Sequence, residues 1–338
     1  MRIVLVGAGA VGSLLGRTLA SGGAEVTVLA RPGMVAGRAE LVTVDPSGAR
    51  RSARVRVAVD PADVAEPPDL ILCAVKAFDL SGALARLGAW PASTVLTVQN
   101  GIGAEEAVLA ARPGAPLLAG SVTASVGLDA DGTVHWLRRG GIGLAIVQGQ
   151  VAVLRDDLLG LFGGGGLAAR PYPDWAAMKW SKLLANLVGN ATSAILDADP
   201  AAIYADPTLF AIERAQLREA LTVLRAQGLR PVGLPGAPIP WLARAASLPP
   251  WLGRPILART VGGVRGGKSP SLRSHFASGA AGPSEVDQLN GAVVAAGARL
   301  GLATPVNAAL VAGVHAVAGD PSLRAWYRTH PASWPPSG

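Results

Sequence analysis

The chain begins Met1-Arg2-Ile3-Val4-Leu5-Val6-Gly7-Ala8-Gly9-Ala10-Val11-Gly12, and this stretch decides how its first part folds. An apolar run leads into glycines spaced as G-x-G-x-x-G, and residues 13–19 then have the spacing of an amphipathic helix. A strand, a glycine turn and a helix in this order are the fingerprint of dinucleotide binding. Gly7 allows a tight turn, Gly9 lets a pyrophosphate approach the backbone, and Gly12 lets the helix pack closely. The sequence therefore predicts a dinucleotide site that contains the six residues Gly7, Ala8, Gly9, Ala10, Val11 and Gly12.

The residue after the second predicted strand indicates which dinucleotide binds. Residues 24–29 are apolar enough for a parallel strand, and Arg31 follows them. Sites selective for NAD usually carry Asp or Glu here to bind the ribose hydroxyl, whereas an arginine suits the 2′-phosphate of NADP. We therefore favour NADP as the cofactor. The alternative is that Arg31 is a solvated loop charge.

Composition excludes several classes of protein. The 338 residues are half apolar and 16% charged, which predicts a folded protein, and the length suggests two domains. The net charge is +7, but the arginines are scattered, so we expect no nucleic-acid partner. No apolar segment reaches membrane-spanning length, and the four histidines lack metal-ligand spacing, so neither a membrane nor a metal is expected. The single cysteine, Cys73, excludes an internal disulfide and indicates a cytoplasmic protein.

Residues 1–170 alternate strands and helices, as a doubly wound α/β domain does. Lys76 follows the apolar strand predicted over residues 69–75, and Asn100 follows the strand predicted over 93–98. Open α/β sheets bind ligands beyond the carboxyl ends of their strands, which makes both residues site candidates. The alternatives are a solvated lysine and, for Asn100, a simple turn.

Three further expectations concern strands and the domain boundary. Residues 41–44 and 54–59 are predicted to form a short hairpin or edge strands, and 120–147 to form an antiparallel extension. Glycines 163–166 and the prolines near 171 predict a break between the domains. The predicted domains are 1–170 and 174–320, followed by a tail over 321–338.

The second domain is predicted to be helical. Asp174 is a candidate N-cap for a helix that continues through Leu187. Apolar spacing predicts further helices over 207–227, 284–300 and 305–318. The proline-rich residues 230–271 are predicted to be irregular, and the tail past residue 320 to be partly ordered at best.

One polar stripe interrupts the first of these predicted helices. Lys182, Asn186 and Asn190 are four residues apart, so on one helix they would share a face. Asparagine is a poor helix former, and two asparagines aligned with a lysine favour a functional interpretation. The alternative is an ordinary polar outer face.

These motifs together resemble the ketopantoate reductase family (2-dehydropantoate 2-reductase), and more distantly the hydroxyacid dehydrogenases that share its helical second domain. The resemblance covers nearly the whole chain. It rests on the glycine motif, on Arg31 and on the stretches that follow: Val75-Lys76, Gln99-Asn100-Gly101, Trp180 through Asn190, Ser284 through Gly291, and Thr304-Pro305-Val306-Asn307. The fold implied is a Rossmann-type dinucleotide-binding domain followed by an all-helical substrate domain like that of 6-phosphogluconate dehydrogenase.

The resemblance also implies roles for individual residues. Lys182 would be the general acid that protonates the ketone oxygen, since partial burial lowers a lysine's pKa toward the working pH. Glu285 would lie close to Lys182, although a carboxylate is also favoured in the first turn of a helix. The remaining implied roles are substrate binding by Asn186, Asn190 and Ser271, binding of the NADP phosphates by Arg31 and Lys76, and a position near the nicotinamide ribose for Asn100.

The implied reaction is the NADPH-dependent reduction of a 2-oxo acid, with ketopantoate to pantoate as the leading example. The chain departs from the family on the substrate side. The stretch between the predicted lysine helix and Ser271, which includes residues 230–271, is longer than the family usually has, and the Ser271–Glu285 spacing is expanded. One alternative is a reductase of a bulkier carbonyl or imine substrate in specialised metabolism, and another is a non-catalytic NADP-binding sensor. A homodimer is expected only by analogy.

Overall fold

The computed structural model describes residues 1–31, 40–265, 270–277 and 283–330. These residues form two compact units. The first contains the described parts of Met1–Gln99, Gly103–Lys179 and Leu234–Ala237. The second contains Asn100–Ile102, Trp180–Gly233 and the described parts of Pro238–Gly338. The last residues of the predicted tail, 331–338, lie outside the described residues.

The first unit is built on two β-sheets. Its strands are β1 (Arg2–Val6), β2 (Glu25–Leu29), β3 (Glu40–Val44), β4 (Arg50–Arg54), β5 (Arg56–Ala58), β6 (Leu70–Cys73), β7 (Thr94–Thr97), β8 (Leu117–Val122), β9 (Ser125–Leu128), β10 (Val134–Arg138), β11 (Gly141–Gln148) and β12 (Ala168–Tyr172). Eight of these described strands form one sheet in the order β12-β11-β8-β7-β6-β1-β2-β5. Neighbouring strands in it are parallel, except that β11 is antiparallel to β8.

Helices cover both faces of this sheet. They are α1 (Ala10–Ser21), α2 (Leu80–Arg86), α3 (Ala104–Ala111) and α4 (Ala152–Gly164). Leu5, Leu72 and Leu96 pack in one core with apolar residues of α1 and α4, whereas Val4 and Ile71 pack in another with residues of α2 and α3. Strands β6 and β7 are buried along their whole length. The sequence predicts central parallel strands at both positions, from a near-continuous apolar run at β6 and a β-branched segment at β7, and the structure confirms them.

The predicted antiparallel pairing over residues 120–147 is confirmed, because β8 pairs with β11 and β9 with β10, but the prediction that these strands form one extension is wrong. Strands β8 and β11 belong to the main sheet, while β9 and β10 join β3 and β4 in a four-stranded sheet with the order β4-β3-β10-β9. The hairpin partner of β3 is β4, at residues 50–54, because a tight turn closes there: Gly48 N donates to Asp45 O at 2.8 Å. Residues 56–58 instead form β5, the edge strand of the main sheet beside β2.

The glycine run after residue 162 is also not a linker. Helix α4 ends at Gly164, and β12 follows in parallel pairing with β11. A Cβ on Gly165 would lie 1.9 Å from Thr18 O, so glycine is needed where this segment contacts α1. The buried Arg17 of α1 donates to Gly165 O at 2.9 Å. Gly165 therefore serves close packing against α1, whereas a Cβ on Gly163 or Gly166 would meet nothing within 4 Å.

The second unit is helical, as predicted. Its helices are α6 (Ala191–Leu196), α7 (Pro200–Ala205), α8 (Pro207–Ala226), α9 (Ile239–Ser247), α10 (Pro250–Arg265), α11 (Ser271–Ala277), α12 (Asn290–Arg299), α13 (Pro305–Gly319) and α14 (Pro321–Thr329), and α5 (Trp175–Leu187) begins in the first unit and continues into the second. Asp174 caps α5 as predicted, because its Oδ1 accepts from Ala177 N at 2.9 Å. The extents of α8 and α13 also match the sequence pattern.

Two predictions about this unit are wrong. Much of residues 230–271 is helical. Prolines lie in the first turns of α9 and α10, where a helix needs no N–H donor, and α10 also continues through the interior Pro255. Helix α12 begins only at Asn290. In the predicted tail, Pro321–Thr329 form α14, whose N-cap Asp320 accepts from Ser322 N at 2.9 Å, so the described part of a tail predicted to be partly ordered at best is helical. Within the described ranges no helix is both long and apolar enough to cross a membrane.

Candidate active site

The glycine turn after β1 has room for a ligand at one of its three glycines. Gly7 has φ +100°, and a Cβ there would lie 2.6 Å from Val75 N. A Cβ on Gly12 would lie 1.9 Å from Gly7 O, whereas nothing lies within 4 Å of a Cβ position on Gly9. Gly9 is also the N-cap of α1 and provides no side-chain cap. The first N–H groups of α1 and the open space at Gly9 therefore fit the pyrophosphate of a dinucleotide.

Two predicted cationic residues follow strands beside this turn. Strands β6, β1 and β2 are adjacent and parallel, so their carboxyl ends lie at one edge of the sheet. Lys76 follows β6 and precedes a short 3-10 turn, Ala77–Asp79, and Arg31 follows β2. Both residues are exposed. The structure thus brings Lys76, the glycine turn and Arg31 to one edge, where cations can meet an anionic cofactor.

A buried polar network holds the end of β7 in the first unit. Gln99 donates through Nε2 to Cys73 O at 2.9 Å and to Val75 O at 3.1 Å. Lys179 Nζ donates to Gln99 O at 2.8 Å and lies 3.0 Å from Glu105 Oε1. The side chains of Lys179 and Glu105 are 2% and 0% exposed. Sequence reasoning missed this ion pair; the only signal was a lysine in an apolar stretch of α5.

Asn100 lies beside Asn186 in the second unit. Asn186 Nδ2 donates to Asn100 Oδ1 at 3.1 Å, and Ile102 N donates to Gln288 O at 3.0 Å. Gly101 has φ +83°, and a Cβ there would lie 2.2 Å from Gln288 O. Asn100 is therefore fixed against the residues just before α12. The sequence contained no signal for this role of Gln288.

Asn190 is not on the same helix as Lys182 and Asn186, so the prediction of one continuous polar stripe is wrong. Helix α5 ends at Leu187, Gly189 has φ +55°, and Asn190 is the buried N-cap residue of α6. The break is stabilised by the fully buried Glu213, whose carboxylate accepts from Gly189 N at 2.7 Å and from Thr192 Oγ1 at 2.6 Å.

The break gives Asn190 a different set of contacts. Its Nδ2 donates to Ser271 Oγ at 3.4 Å, and its Oδ1 accepts from Leu272 N at 3.1 Å. The structure therefore joins Asn190 to Ser271, and it separately joins Asn186 to Asn100. Lys182 lies one turn before Asn186 on α5 and is half-buried.

Glu285 is buried in the turns that precede α12. The first turn of a helix was the expected alternative place for it, but that helix begins five residues later, at Asn290. Residues 278–282, where the spacing to Ser271 was predicted to be expanded, lie outside the described residues. An ammonium can donate a proton to an oxygen, and amide and hydroxyl groups can bind an oxygen-rich anion, so these residue types suit that chemistry.

Neither a cysteine nucleophile nor a metal is suggested by the described residues. Burial raises the pKa of the Cys73 thiol to about 12, so the reactive thiolate is scarce at neutral pH. In the part of the chain that the structure describes, no three His, Cys, Asp or Glu side chains are grouped to hold a metal ion.

Two family models match the chain, "Ketopantoate reductase PanE/ApbA" over residues 3–149 and "Ketopantoate reductase PanE/ApbA C terminal" over residues 174–318. The chain is 30% identical over 311 residues to the 2-dehydropantoate 2-reductase of Halobacterium salinarum, covering 90% of this chain and 95% of that protein. It is 29% identical over 320 residues to the 2-dehydropantoate 2-reductase of Caulobacter vibrioides, covering 94% and 99%.

Solved structures share the fold. The crystal structure of 2-dehydropantoate 2-reductase from Geobacter metallireducens has a TM-score of 0.79 at 24% identity and covers 94% of this chain and 100% of its own. D-mandelate dehydrogenase with NADH and anilino(oxo)acetate also has a TM-score of 0.79, at 22% identity, covering 96% and 99%. From the two family models and the curated relatives, we conclude that this chain belongs to the ketopantoate reductase family.

Proposed function

We propose that the protein reduces a 2-oxo acid with NADPH, and that ketopantoate, reduced to pantoate, is its substrate. The observation that carries this proposal is the set of joined side chains in the second unit, where Asn186 contacts Asn100 and Asn190 contacts Ser271. Lys182 lies one helical turn from Asn186. The 30% identity to a 2-dehydropantoate 2-reductase over 90% of the chain supports the same reaction.

The cofactor would bind at the sheet edge of the first unit. The N–H groups at the start of α1 and the space at Gly9 suit the pyrophosphate, and Lys76 and Arg31 suit the phosphate groups, including the 2′-phosphate of NADP. Asn100 would bind near the nicotinamide ribose. When bound, NADPH supplies the hydride that adds to the carbonyl carbon.

Lys182 would supply the proton. As the carbonyl carbon is reduced, negative charge develops on the oxygen, and an ammonium within hydrogen-bonding reach stabilises that charge and donates a proton to it. The oxygen becomes a hydroxyl and Lys182 becomes a neutral amine, which solvent reprotonates. Glu285 would hold Lys182 or a substrate hydroxyl.

Ser271 and the two asparagines would bind the substrate. Ser271 Oγ accepts from Asn190 Nδ2, so the hydroxyl proton can be donated to a further acceptor. A substrate carboxylate would be such an acceptor. Asn186 would bind the substrate through the same amide that contacts Asn100.

The predicted domains receive these roles. Residues 1–170 would bind NADP and residues 174–320 would bind the substrate, with 321–338 as the tail. The single cysteine of the chain, which is buried, supports a cytoplasmic location. A homodimer is proposed by analogy alone.

The first experiment measures NADPH oxidation by purified protein with ketopantoate and with a panel of bulkier 2-oxo acids, including an aromatic one. Saturable oxidation that is most efficient with ketopantoate is the expected result. Tight NADPH binding with turnover only of another 2-oxo acid would refute ketopantoate and keep the reaction class. NADPH binding without turnover of any 2-oxo acid would refute the reductase and favour the sensor.

Lys182→Gln tests the proton donor. We expect kcat to fall about a hundredfold or more, because general acid catalysis typically contributes that much, with the Kd for NADPH nearly unchanged. Arg31→Ala is the matched control on the cofactor side. It should weaken NADPH binding relative to NADH and leave kcat at saturating NADPH close to the wild-type value. Near-normal kcat in Lys182→Gln would remove Lys182 from this role.

A further inference from the structure

Asp197, in the second unit, has an unusual backbone conformation. It follows α6 with φ +49°, and among the described residues it is the only non-glycine residue with a positive φ. Such a conformation is unfavourable for a side chain with a Cβ, although aspartate tolerates it better than most residues. Strained backbone of this kind persists where surrounding contacts require it, and it is concentrated at functional sites.

Three arginines converge on the Asp197 carboxylate. Arg273 Nε lies 3.0 Å and an Arg324 guanidinium nitrogen 2.8 Å from Oδ1, and Arg328 lies 3.5 Å from Oδ2. Arg273 also pairs with Asp199. The side chains of Arg273, Arg324 and Asp197 are 21%, 16% and 27% exposed, so solvent screens this cluster less than an ordinary surface pair.

The arginines belong to two helices, and one of these begins with a predicted substrate residue. Arg273 lies on α11, two residues after Ser271, and Arg324 and Arg328 lie on α14. At the other end of α6, Asn190 contacts Ser271 Oγ and Leu272 N. The two residues that flank α6, Asn190 and Asp197, therefore both bind α11.

Helix α14 also contacts α6 directly, through a second hydrogen bond of Arg324. Arg324 Nε donates to Ala194 O in α6 at 2.9 Å while its other nitrogen reaches Asp197. One guanidinium thus connects the C-terminal helix to α6 and to the carboxylate that also holds α11. Without Asp197, the three arginines would repel one another across this cluster.

We propose that Asp197 is a positioning residue for substrate binding: it orients Ser271 by holding α11 through Arg273, and through Arg324 it makes α14 part of that support. This inference rests on the proposed function, because it assumes that Ser271 binds the substrate. Asp197 itself does not contact substrate. Its effect should therefore appear in the KM for the 2-oxo acid and not in the binding of NADPH.

The test uses Asp197→Asn, which keeps a side chain that tolerates positive φ, removes the charge and replaces one acceptor oxygen with an NH2 donor. Glu106→Gln, at an exposed position of α3, is the control for loss of one negative charge. We expect Asp197→Asn to raise the KM for the 2-oxo acid about tenfold, the change that loss of one charged hydrogen bond of typical strength gives. The values of kcat and of the Kd for NADPH should stay within about twofold, as should every constant of the control.

Hydrogen exchange of the α11 amides provides a readout that does not depend on activity. Asp197→Asn should increase exchange in residues 271–277 and leave α8 unchanged. Arg324→Ala tests the contribution of α14 and should raise KM about threefold, with Arg225→Ala on the exposed end of α8 as its control. If Asp197→Asn does not fold, Arg273→Ala removes the other side of the same link and is measured in its place, with the same expected rise in KM and in α11 exchange.

The outcomes are distinguishable. A raised KM together with faster exchange in α11 supports the proposal. Faster exchange with an unchanged KM, or unchanged exchange with active protein, overturns it while leaving the proposed function intact. A loss of kcat with KM unchanged would also overturn it, because Asp197 would then act in the chemical step or in general stability and not in substrate binding. Wild-type protein that turns over no 2-oxo acid would refute the proposed function, and the substrate link of Asp197 with it.

Discussion

Removing either partner of the Lys179–Glu105 pair should strongly destabilise the first unit. The two groups are 3.0 Å apart and almost fully buried, so a charge left alone there has neither water nor a counter-ion. Glu105 Oε1 also accepts from Thr97 Oγ1 at 2.7 Å, and Lys179 Nζ donates to Gln99 O at 2.8 Å. Breaking a buried pair on one side typically costs about 3–5 kcal/mol.

The expected magnitudes follow from these contacts. Lys179→Met and Glu105→Leu should each lower the free energy of unfolding by about 3–5 kcal/mol, or lower Tm by about 6–20 °C at the 2–4 °C per kcal/mol typical of units of 150–250 residues. The double variant leaves no isolated charge. It loses only two neutral partners, Thr97 Oγ1 and Gln99 O, at about 1 kcal/mol each, so it should be more stable than either single variant.

The assay is a double-mutant cycle measured by thermal and chemical denaturation, with circular dichroism and intrinsic fluorescence as separate probes. Glu106→Leu, at the exposed neighbouring position of α3, is the matched control and should change stability by less than about 0.5 kcal/mol. Single variants that each cost less than about 1 kcal/mol would refute the reasoning. A double variant that loses as much stability as the two single variants combined would refute it as well, because the two charges would then be acting independently.

Three further predictions follow from glycine geometry and from the buried thiol. Gly9→Ala should fold normally, because its Cβ would meet only open space, but that Cβ should weaken NADPH binding. Gly7→Ala should instead lower Tm, because Gly7 has positive φ and its Cβ would clash. Equal NADPH affinity in Gly9→Ala and wild type would contradict the role of that space in binding the cofactor. Gly101→Ala should destabilise the protein by about 1–3 kcal/mol more than Gly103→Ala, because both glycines have positive φ but only a Cβ on Gly101 would clash. Similar Tm values for the two variants would show that the neighbouring backbone moves away readily. Cys73 should resist thiol reagents at pH 8 until the protein is unfolded by denaturant. With a pKa of about 12, only about one thiol in ten thousand is ionised at that pH. Rapid labelling of the native protein would contradict this prediction and show that the β6 region opens.

Short-range sequence patterns were sufficient to predict many of the helices and strands. The glycine fingerprint, the apolar runs of β6 and β7 and the Asp174 cap each depend on contacts between residues close in sequence, and the structure has them where they were predicted. The partners of β4, β9 and β10 were not predicted, because strand pairing depends on distant residues. The helicity of residues 239–265 was missed because prolines that begin helices look like breakers when the first turn is not recognised.

The candidate site, like the fold, could be predicted from the sequence only in part. The residue types and their order predicted Lys182, Asn186, Asn190, Ser271 and Glu285 as a set, and their roles remain predictions to be tested. The sequence could not place Asn190 at the start of a new helix, because that depends on Gly189 and on the carboxylate of Glu213, twenty-four residues away. It also contained no indication that Lys179 is paired with the buried carboxylate of Glu105.

The sequence alone determined that this chain has a dinucleotide-binding α/β part followed by a helical part, and which family it resembles, because strand–turn–helix order and apolar spacing are local properties. Only the tertiary structure decided how the neighbouring polar residues of α5 differ. Lys179 is enclosed with Glu105, while Lys182 is half-buried one turn from Asn186. The physical reason is that burial and the approach of a counter-charge are set by chain segments far apart in sequence, such as α3 and α5, which no local pattern encodes.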